Sequence, residues 1–204
     1  MQIYIVRHGE TLWNVQKRLQ GRTDIELNDN GRFLAKKTAE ALKSVPFTVC
    51  FSSPLKRAKE TAGILLADRH VPVREDERLI EISFGEMEGL VNDGSGRGML
   101  KNYQDFFKAP GRYVPPPGGE ALSSLCRRTE QFLTDITGRA ELEQETVLVA
   151  THGAAMRALL NSLREYSPND FWGKGVPKNC AVAVLESHGG EVRICKEDEA
   201  AASL

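Results

Sequence analysis

Arg7-His8-Gly9-Glu10-Thr11 follows directly on the apolar run Ile3-Tyr4-Ile5-Val6. A short run rich in β-branched and aromatic residues that stops at charged residues reads as a buried strand. In open α/β sheets, ligands bind outside the carboxyl ends of the strands. An arginine and a histidine are thus delivered to the place where such folds do chemistry. The pattern recurs late in the chain, where Thr146-Val147-Leu148-Val149-Ala150 runs into Thr151-His152-Gly153. Two strand-end histidines, one beside an arginine, fit a site built for a phosphoryl group.

Phosphoryl transfer asks a protein mainly for positioning and for positive charge around the equatorial oxygens. Arg7 offers a fork of donors suited to phosphate. Arg57 is expected on the first turn of a helix opening at Ser52-Ser53-Pro54-Leu55-Lys56-Arg57, facing a water-filled pocket at the strand ends. Serine is the expected cap and proline fits the first turn. The helix after Gly153 would add backbone N–H groups and a positive dipole end. A histidine attacks phosphorus only through an unprotonated nitrogen, which is available near neutral pH because its ordinary pKa is about 6.5. A covalent phosphohistidine splits one hard hydrolysis into two easier steps. His8 is the candidate nucleophile and His152 a second donor to the phosphoryl oxygens. Two histidines could instead hold zinc, but no HExxH or Cys/His cluster accompanies them, so no metal site is expected.

The elements that must position these residues alternate strand and helix. Helical periodicity starts near Asn28 or Asp29 and carries Leu34, Thr38, Ala41 and Leu42 toward a core, with Pro46 beyond its end. Phe47 to Ser52 reads as a strand, Ala58, Ala62, Leu65 and Leu66 as a helix face, and Val71 to Arg74 as a short strand. Residues 83–120 differ: they hold eight glycines and four prolines, and read as an insertion of loops and helical pieces such as Leu100 to Phe107. Long loops in compact domains are often lids or binding elements. A long helix is expected from Glu120 to Arg139, and another from Ala154 to Leu163. Strands near 180–186 and 191–196 join through the hairpin signal Ser187-His188-Gly189-Gly190. Glu197 to Leu204 reads as a frayed tail.

The expected architecture is a three-layer α/β/α domain spanning 1–204. It has a mostly parallel central sheet and a helical and loop insertion, about 83–120, over the active site. The chain has 204 residues, 27 basic and 28 acidic, for a net charge of −1. That balance argues against a nucleic-acid partner, which favours a basic excess. No stretch is long and apolar enough to span a bilayer, and no signal peptide is visible, so a cytoplasmic protein is expected. Cys50, Cys126, Cys180 and Cys195 form no CxxC pair and read as free buried thiols. His70 and His188 read as surface residues, Phe171 and Trp172 as packing, and Arg127-Arg128 as a partly solvated helix face with room for one structural ion pair.

Arg7-His8-Gly9-Glu10-Thr11 with Trp13-Asn14 resembles the signature of the histidine phosphatase superfamily, the phosphoglycerate mutase-like proteins. The resemblance runs along most of the chain, in the family's order. It includes Gln20-Gly21, Leu27-Asn28 with Gly31, Ser52 to Ala58 with Glu60-Thr61-Ala62, Leu79 to Gly85 with Glu88-Gly89, Pro117-Gly118-Gly119-Glu120, and Thr151-His152-Gly153. It implies that His8 is phosphorylated, that Arg7, Arg57 and His152 form the phosphate pocket, and that Asn14, Gln20 and Gly21 add phosphate or substrate contacts. It also implies Glu81 as the acid that protonates the leaving oxygen; read without the resemblance, Glu81 is one surface carboxylate among many.

Departures from the family pattern are Met87 in place of a frequent tryptophan, Ala121 in place of a serine, and Phe84 where the cofactor-dependent mutases carry tyrosine. Those mutases also have a longer insertion and a C-terminal tail. The expected activity is therefore hydrolysis of small phosphorylated metabolites, without a cofactor, by a monomer or a homodimer. The alternatives are a phosphoglycerate mutase-type transferase and a non-catalytic phosphate-binding module; loss of at least one of Arg7, His8, Arg57, Glu81 or His152 would mark the latter.

Overall fold

A computed structural model describes residues 1–67, 69–92 and 104–200. Six strands form one sheet in the order β3-β2-β4-β1-β5-β6. Here β1 is Gln2–Arg7, β2 Val49–Ser52, β3 Val73–Glu75, β4 Thr146–Thr151, β5 Val182–His188 and β6 Glu191–Glu199. The pairs β1–β4, β4–β2 and β2–β3 are parallel, whereas β5 and β6 are antiparallel additions at one edge. The mostly parallel sheet expected from the sequence is present.

Alternation along the central strands explains the layers. Ile3 and Ile5 of β1, with Val147 and Val149 of β4, point to one face. There they pack against Phe132, Leu133 and Ile136 of α5 (Leu122–Thr137) and Met156, Leu159 and Leu160 of α6 (Gly153–Asn161). Val6, Leu148 and Ala150 point to the other face. That side is covered by Ala35 and Leu42 on or beside α2 (Asp29–Ala41) and by Ala58, Ala62 and Leu65 of α3 (Lys56–Leu66). Strands buried on both faces read as continuous apolar runs, as these do. Ala41, expected to face the core, is exposed; the buried positions of α2 are Gly31, Ala35 and Thr38.

The insertion has its own packing. Ile82, Phe84, Met87 and Phe106 cluster with Leu125 of α5, Ala154, Ala155 and Ala158 of α6, and Phe171 and Trp172. Met87 is thus a packing residue beneath the insertion. Of the expected helix from Leu100 to Phe107, the described part is the short α4 (Asp105–Lys108); residues 100–103 lie outside the described residues. Phe84 bridges Gly119 in antiparallel fashion, which folds the end of the insertion back on its start.

The tail differs from expectation. β6 runs through Glu199, and Glu197 and Asp198 are both ion-paired to Arg157, a fully buried residue of α6. A buried guanidinium needs such partners. Cys50 and Cys180 are buried, but Cys126 is half-buried and Cys195 exposed. His70 and His188 are exposed, and Arg128 holds an ion pair to Glu120 at 2.8 Å, as the sequence allowed. Among the described residues, no helix is long and apolar enough to cross a membrane.

Candidate active site

The carboxyl ends of β1, β4 and β2, three neighbouring strands, meet at a small cavity of about 110 Å³. Arg7, His8, Asn14, Gln20, Gly21, Arg57 and Glu81 all line it. Seven of the eight residues singled out in the sequence therefore share one cavity, and His152 lies just behind it. Larger depressions exist, such as one of about 730 Å³ around Met1, Glu145 and Glu186 at the opposite end of the strands, but they gather no comparable chemistry.

His8 is only 3% exposed. Its Nδ1 lies 2.7 Å from the Gly9 carbonyl, which can only accept, so Nδ1 carries the proton and Nε2 keeps its lone pair. Burial, reinforced by the charges of Arg57 and Arg7, holds the imidazole well below its usual pKa and therefore neutral. The backbone around His8 is fixed on several sides. The Gly9 N–H donates to Thr61 Oγ1 at 3.0 Å, and Asn179 Nδ2 donates to the His8 and Gly9 carbonyls at 3.1 and 3.2 Å. A Cβ on Gly9 would lie 2.6 Å from the Gly31 carbonyl oxygen, which is why the histidine is followed by glycine.

Arg57 is fully buried, yet it lines the cavity at the strand ends. It donates from Nε to His152 Nδ1 at 3.2 Å, from Nη1 to the Thr23 carbonyl at 2.9 Å, and from Nη2 to the Gly21 carbonyl at 2.7 Å. A guanidinium has five N–H groups, so two remain for a ligand. Arg7 donates from Nη1 to the Pro177 carbonyl, while its buried Nε has no partner. Among the described residues, neither arginine has an ion-pair partner within salt-bridge distance. Burial lowers both pKa values, that of Arg57 to about 10. Two desolvated cations side by side make the cavity a strong anion site.

His152 is also fully buried, its ring centroid 5.1 Å from that of His8. Because its Nδ1 accepts from Arg57, the ring proton sits on Nε2, which lies 2.7 Å from Ser53 Oγ. Both ring nitrogens are engaged by protein groups, and His152 touches the cavity lining through Arg57. Burial and the neighbouring cations hold its pKa well below the usual value. Ser53 is not the cap of α3: Leu55 occupies that position, and the Ser53 hydroxyl is committed to His152 while accepting the Leu55 N–H at 3.3 Å.

The amino end of α6 does not present all its N–H groups to the cavity. Glu81 takes two of them, those of Ala154 and Ala155, both at 3.1 Å, along with its neighbour Ile82 at 3.0 Å. A carboxylate at a helix N-terminus is favourable. Glu81 therefore reaches the cavity that Arg7, His8 and Arg57 line on a defined support. Its segment is clasped from behind by Arg128, which donates to the Arg78 and Ile80 carbonyls at 2.8 and 2.6 Å and pairs with both oxygens of Glu120.

Asn14 closes the capping box of α1 (Leu12–Val15), accepting the Thr11 N–H through Oδ1 at 3.0 Å. Gln20 Oε1 is buried at the cavity with no partner. Four aromatic residues, Phe84, Phe106, Phe107 and Trp172, form another part of the wall, alongside Arg18, Leu19 and Val176. Trp172 packs, as its sequence context suggests, donating Nε1–H to the Phe106 carbonyl at 2.6 Å, and it also borders the cavity. Asn179, Arg128 and Glu120 belong to the support of the site, a role the sequence alone does not reveal. Among the described residues, no group of three or more His, Cys, Asp or Glu side chains gathers as a metal site.

Comparison with known proteins agrees with this geometry. The profile of the histidine phosphatase superfamily (branch 1) matches residues 3–198. A 2,3-bisphosphoglycerate-dependent phosphoglycerate mutase 2 from Gloeobacter violaceus is 36% identical over 174 residues, 81% of this chain and 77% of that protein. Phosphoserine phosphatase 1 from Hydrogenobacter thermophilus is 32% identical over 181 residues, 86% of this chain and 82% of that protein. The solved structure of Bacillus stearothermophilus YhfR aligns with a TM-score of 0.90 at 32% identity, covering 97% of this chain and 96% of that one. With both phosphatases and mutases among its relatives, and with its motifs assembled at one cavity, this chain belongs to the histidine phosphatase superfamily, branch 1.

Proposed function

We propose that this protein is a phosphomonoesterase acting on small phosphorylated metabolites through a phosphohistidine on His8. The observation that carries the reading is the pair of desolvated guanidiniums, Arg7 and Arg57, beside a neutral buried imidazole whose Nε2 is free. A phosphoryl dianion supplies the charge those arginines lack. His8 Nε2 attacks phosphorus, and the bond to the leaving oxygen breaks as that oxygen takes a proton from Glu81. The bond from Nδ1–H to the Gly9 carbonyl steadies the positive charge that the ring acquires. Water then attacks phosphorus, gives its proton to the Glu81 carboxylate, and releases phosphate and the free imidazole.

Glu81 Oε1 accepts two N–H bonds and Oε2 one, so Oε2 has the lone pair that carries the proton. The role can be read from the leaving group. Glu81→Gln should cripple hydrolysis of alkyl phosphates, by roughly 10²–10⁴-fold, the range for general acid catalysis. It should spare p-nitrophenyl phosphate, whose phenolate leaves without a proton. Equal losses on both substrates, in a variant with the wild-type melting temperature, would remove Glu81 from the role.

Hydrolysis is favoured over the mutase reaction by the wall facing Glu81. Phe84 sits where the mutases have a tyrosine, and it is buried edge-on to Phe106 at 5.1 Å, so no hydroxyl enters the site there. Release of inorganic phosphate from monoesters, without interconversion of 2- and 3-phosphoglycerate, is the expected result. Interconversion faster than phosphate release would reverse the assignment. Arg7 and Arg57 provide the charge a divalent ion would otherwise bring. Full activity should therefore survive exhaustive chelation; activity lost to EDTA and restored by zinc or magnesium would show that they do not suffice.

A further inference from the structure

One carboxylate of the sequence pattern takes no part in the proposed reaction. Glu88, at the end of the short turn Gly85–Met87, stretches across to the loop Gly21–Thr23. Its Oε1 accepts the Arg22 N–H at 2.9 Å and the Phe84 N–H at 3.1 Å. Its Oε2 accepts the Thr23 N–H at 2.8 Å and the Thr23 hydroxyl. The same loop turns its carbonyls the other way: those of Gly21 and Thr23 are the two backbone acceptors of Arg57. The loop is thus held between a carboxylate outside and a guanidinium inside.

Gly21 marks how tight the arrangement is. It has φ +52°, a backbone conformation suited to glycine, and a Cβ there would lie 2.1 Å from Glu88 Oε1. The adjoining backbone is pinned too, with Gly89 N–H donating to the Leu19 carbonyl at 2.8 Å and Leu19 N–H to the Leu90 carbonyl at 3.0 Å. Glu88 does not line the cavity. We propose that Glu88 is the positioning residue for Arg57: by drawing the Arg22 and Thr23 N–H groups outward, it holds the loop with the Gly21 and Thr23 carbonyls aimed at the guanidinium and fixes where the remaining guanidinium N–H groups meet the phosphoryl oxygens. Charge stabilisation of a transition state depends on donors already in place, and a misplacement of about 1 Å can cost roughly 10²-fold. The Phe84 N–H bond links the same carboxylate to the segment carrying Glu81, so the arginine and the acid are held in one frame.

The positioning role rests on Arg57 acting in catalysis, and the test separates the two claims. Glu88→Ala and Arg57→Ala are made singly and together in the full chain, with p-nitrophenyl phosphate as substrate. Glu88→Ala should lower kcat by roughly 10²-fold, with a much smaller effect on KM. In the Arg57→Ala background the same change should cost less than about twofold, because nothing is left to aim. Glu88→Gln, whose amide oxygen can still accept two of the N–H groups, should recover part of the loss. If Glu88→Ala does not fold, Glu88→Gln carries the same comparison: its kcat loss in the wild-type background should shrink to less than about twofold in the Arg57→Ala background. Equal losses in both backgrounds would overturn the positioning role and leave Glu88 a structural residue. A wild-type kcat in Arg57→Ala alone would instead overturn the reading of the site.

Discussion

His8→Ala should lower kcat by roughly 10⁴–10⁶-fold, the scale seen when a covalent nucleophile is removed. The loss should be larger than for any other single change at the cavity, because His152 has no ring nitrogen free to replace it. Its Nδ1 accepts from Arg57 and its Nε2 faces Ser53. Rapid quenching of the wild type under non-acidic conditions should trap an acid-labile, base-stable phosphoryl adduct on His8, absent from the variant. The state of the ring gives a second check. His8 has its pKa lowered well below 6.5 by burial first and by Arg57 and Arg7 next. A lowered pKa means that the neutral, nucleophilic ring persists on the acid side of 6.5 and is lost only as pH falls through the lowered value. The His8 side-chain resonances should therefore stay those of a neutral imidazole in free enzyme at pH 6. A normal turnover rate in His8→Ala would remove His8 as the nucleophile, and protonation of His8 near 6.5 would show that burial and the two arginines do not lower its pKa.

Why is so much of this site legible in the sequence, and why not all of it? Residues at strand ends are legible because their location follows from the strand itself. Ile3 to Val6 and Val147 to Ala150 can only be buried strands, so His8 and His152 must emerge at their carboxyl ends. Arg57 follows from β2 and the helix after it. Glu81 cannot be placed this way. It lies beyond β3 on an irregular segment whose course is set by Arg128 and Glu120, contacts that no local periodicity encodes. Only the motif resemblance marks it. Asn179 is invisible for the same reason: it sits in a loop far along the chain from the His8 carbonyl it holds.

The acidic end of β6 is misleading in the sequence because Glu197 and Asp198 look like a solvated tail. The available signal is on the other partner. An arginine inside Ala154-Ala155-Met156-Arg157-Ala158-Leu159-Leu160 is surrounded by core residues and must find acids somewhere. The hydrogen bonding of His152 is hidden in the sequence for a similar reason. Which way a buried imidazole donates depends on its neighbours, and its neighbour Arg57 can only donate.

Arg57→Ala should cost roughly 10²–10⁴-fold in kcat, the range for losing a charged stabiliser of the phosphoryl transition state. The structure adds a second expectation. Arg57 is fully buried, and its removal strands the Gly21 and Thr23 carbonyls and His152 Nδ1 without their donor. Leaving buried acceptors unpaired costs about 1–3 kcal/mol. Removing a desolvated cation that stands beside Arg7 offsets part of that cost, so the variant should fold with a modestly lowered denaturation midpoint. Arg57→Lys separates charge from geometry. It keeps the positive charge, but an ammonium with three N–H groups cannot satisfy two carbonyls and His152 while also reaching a phosphoryl oxygen. Its kcat should therefore lie within about tenfold of that of Arg57→Ala. If lysine restored near-normal turnover, the net charge alone would be what the cavity requires, and the fixed guanidinium fork would be incidental. If Arg57→Ala kept normal kcat and KM, the anion would be held by Arg7 and His8 without help from the helix after β2, and the Arg57 guanidinium would have no part in stabilising the transition state.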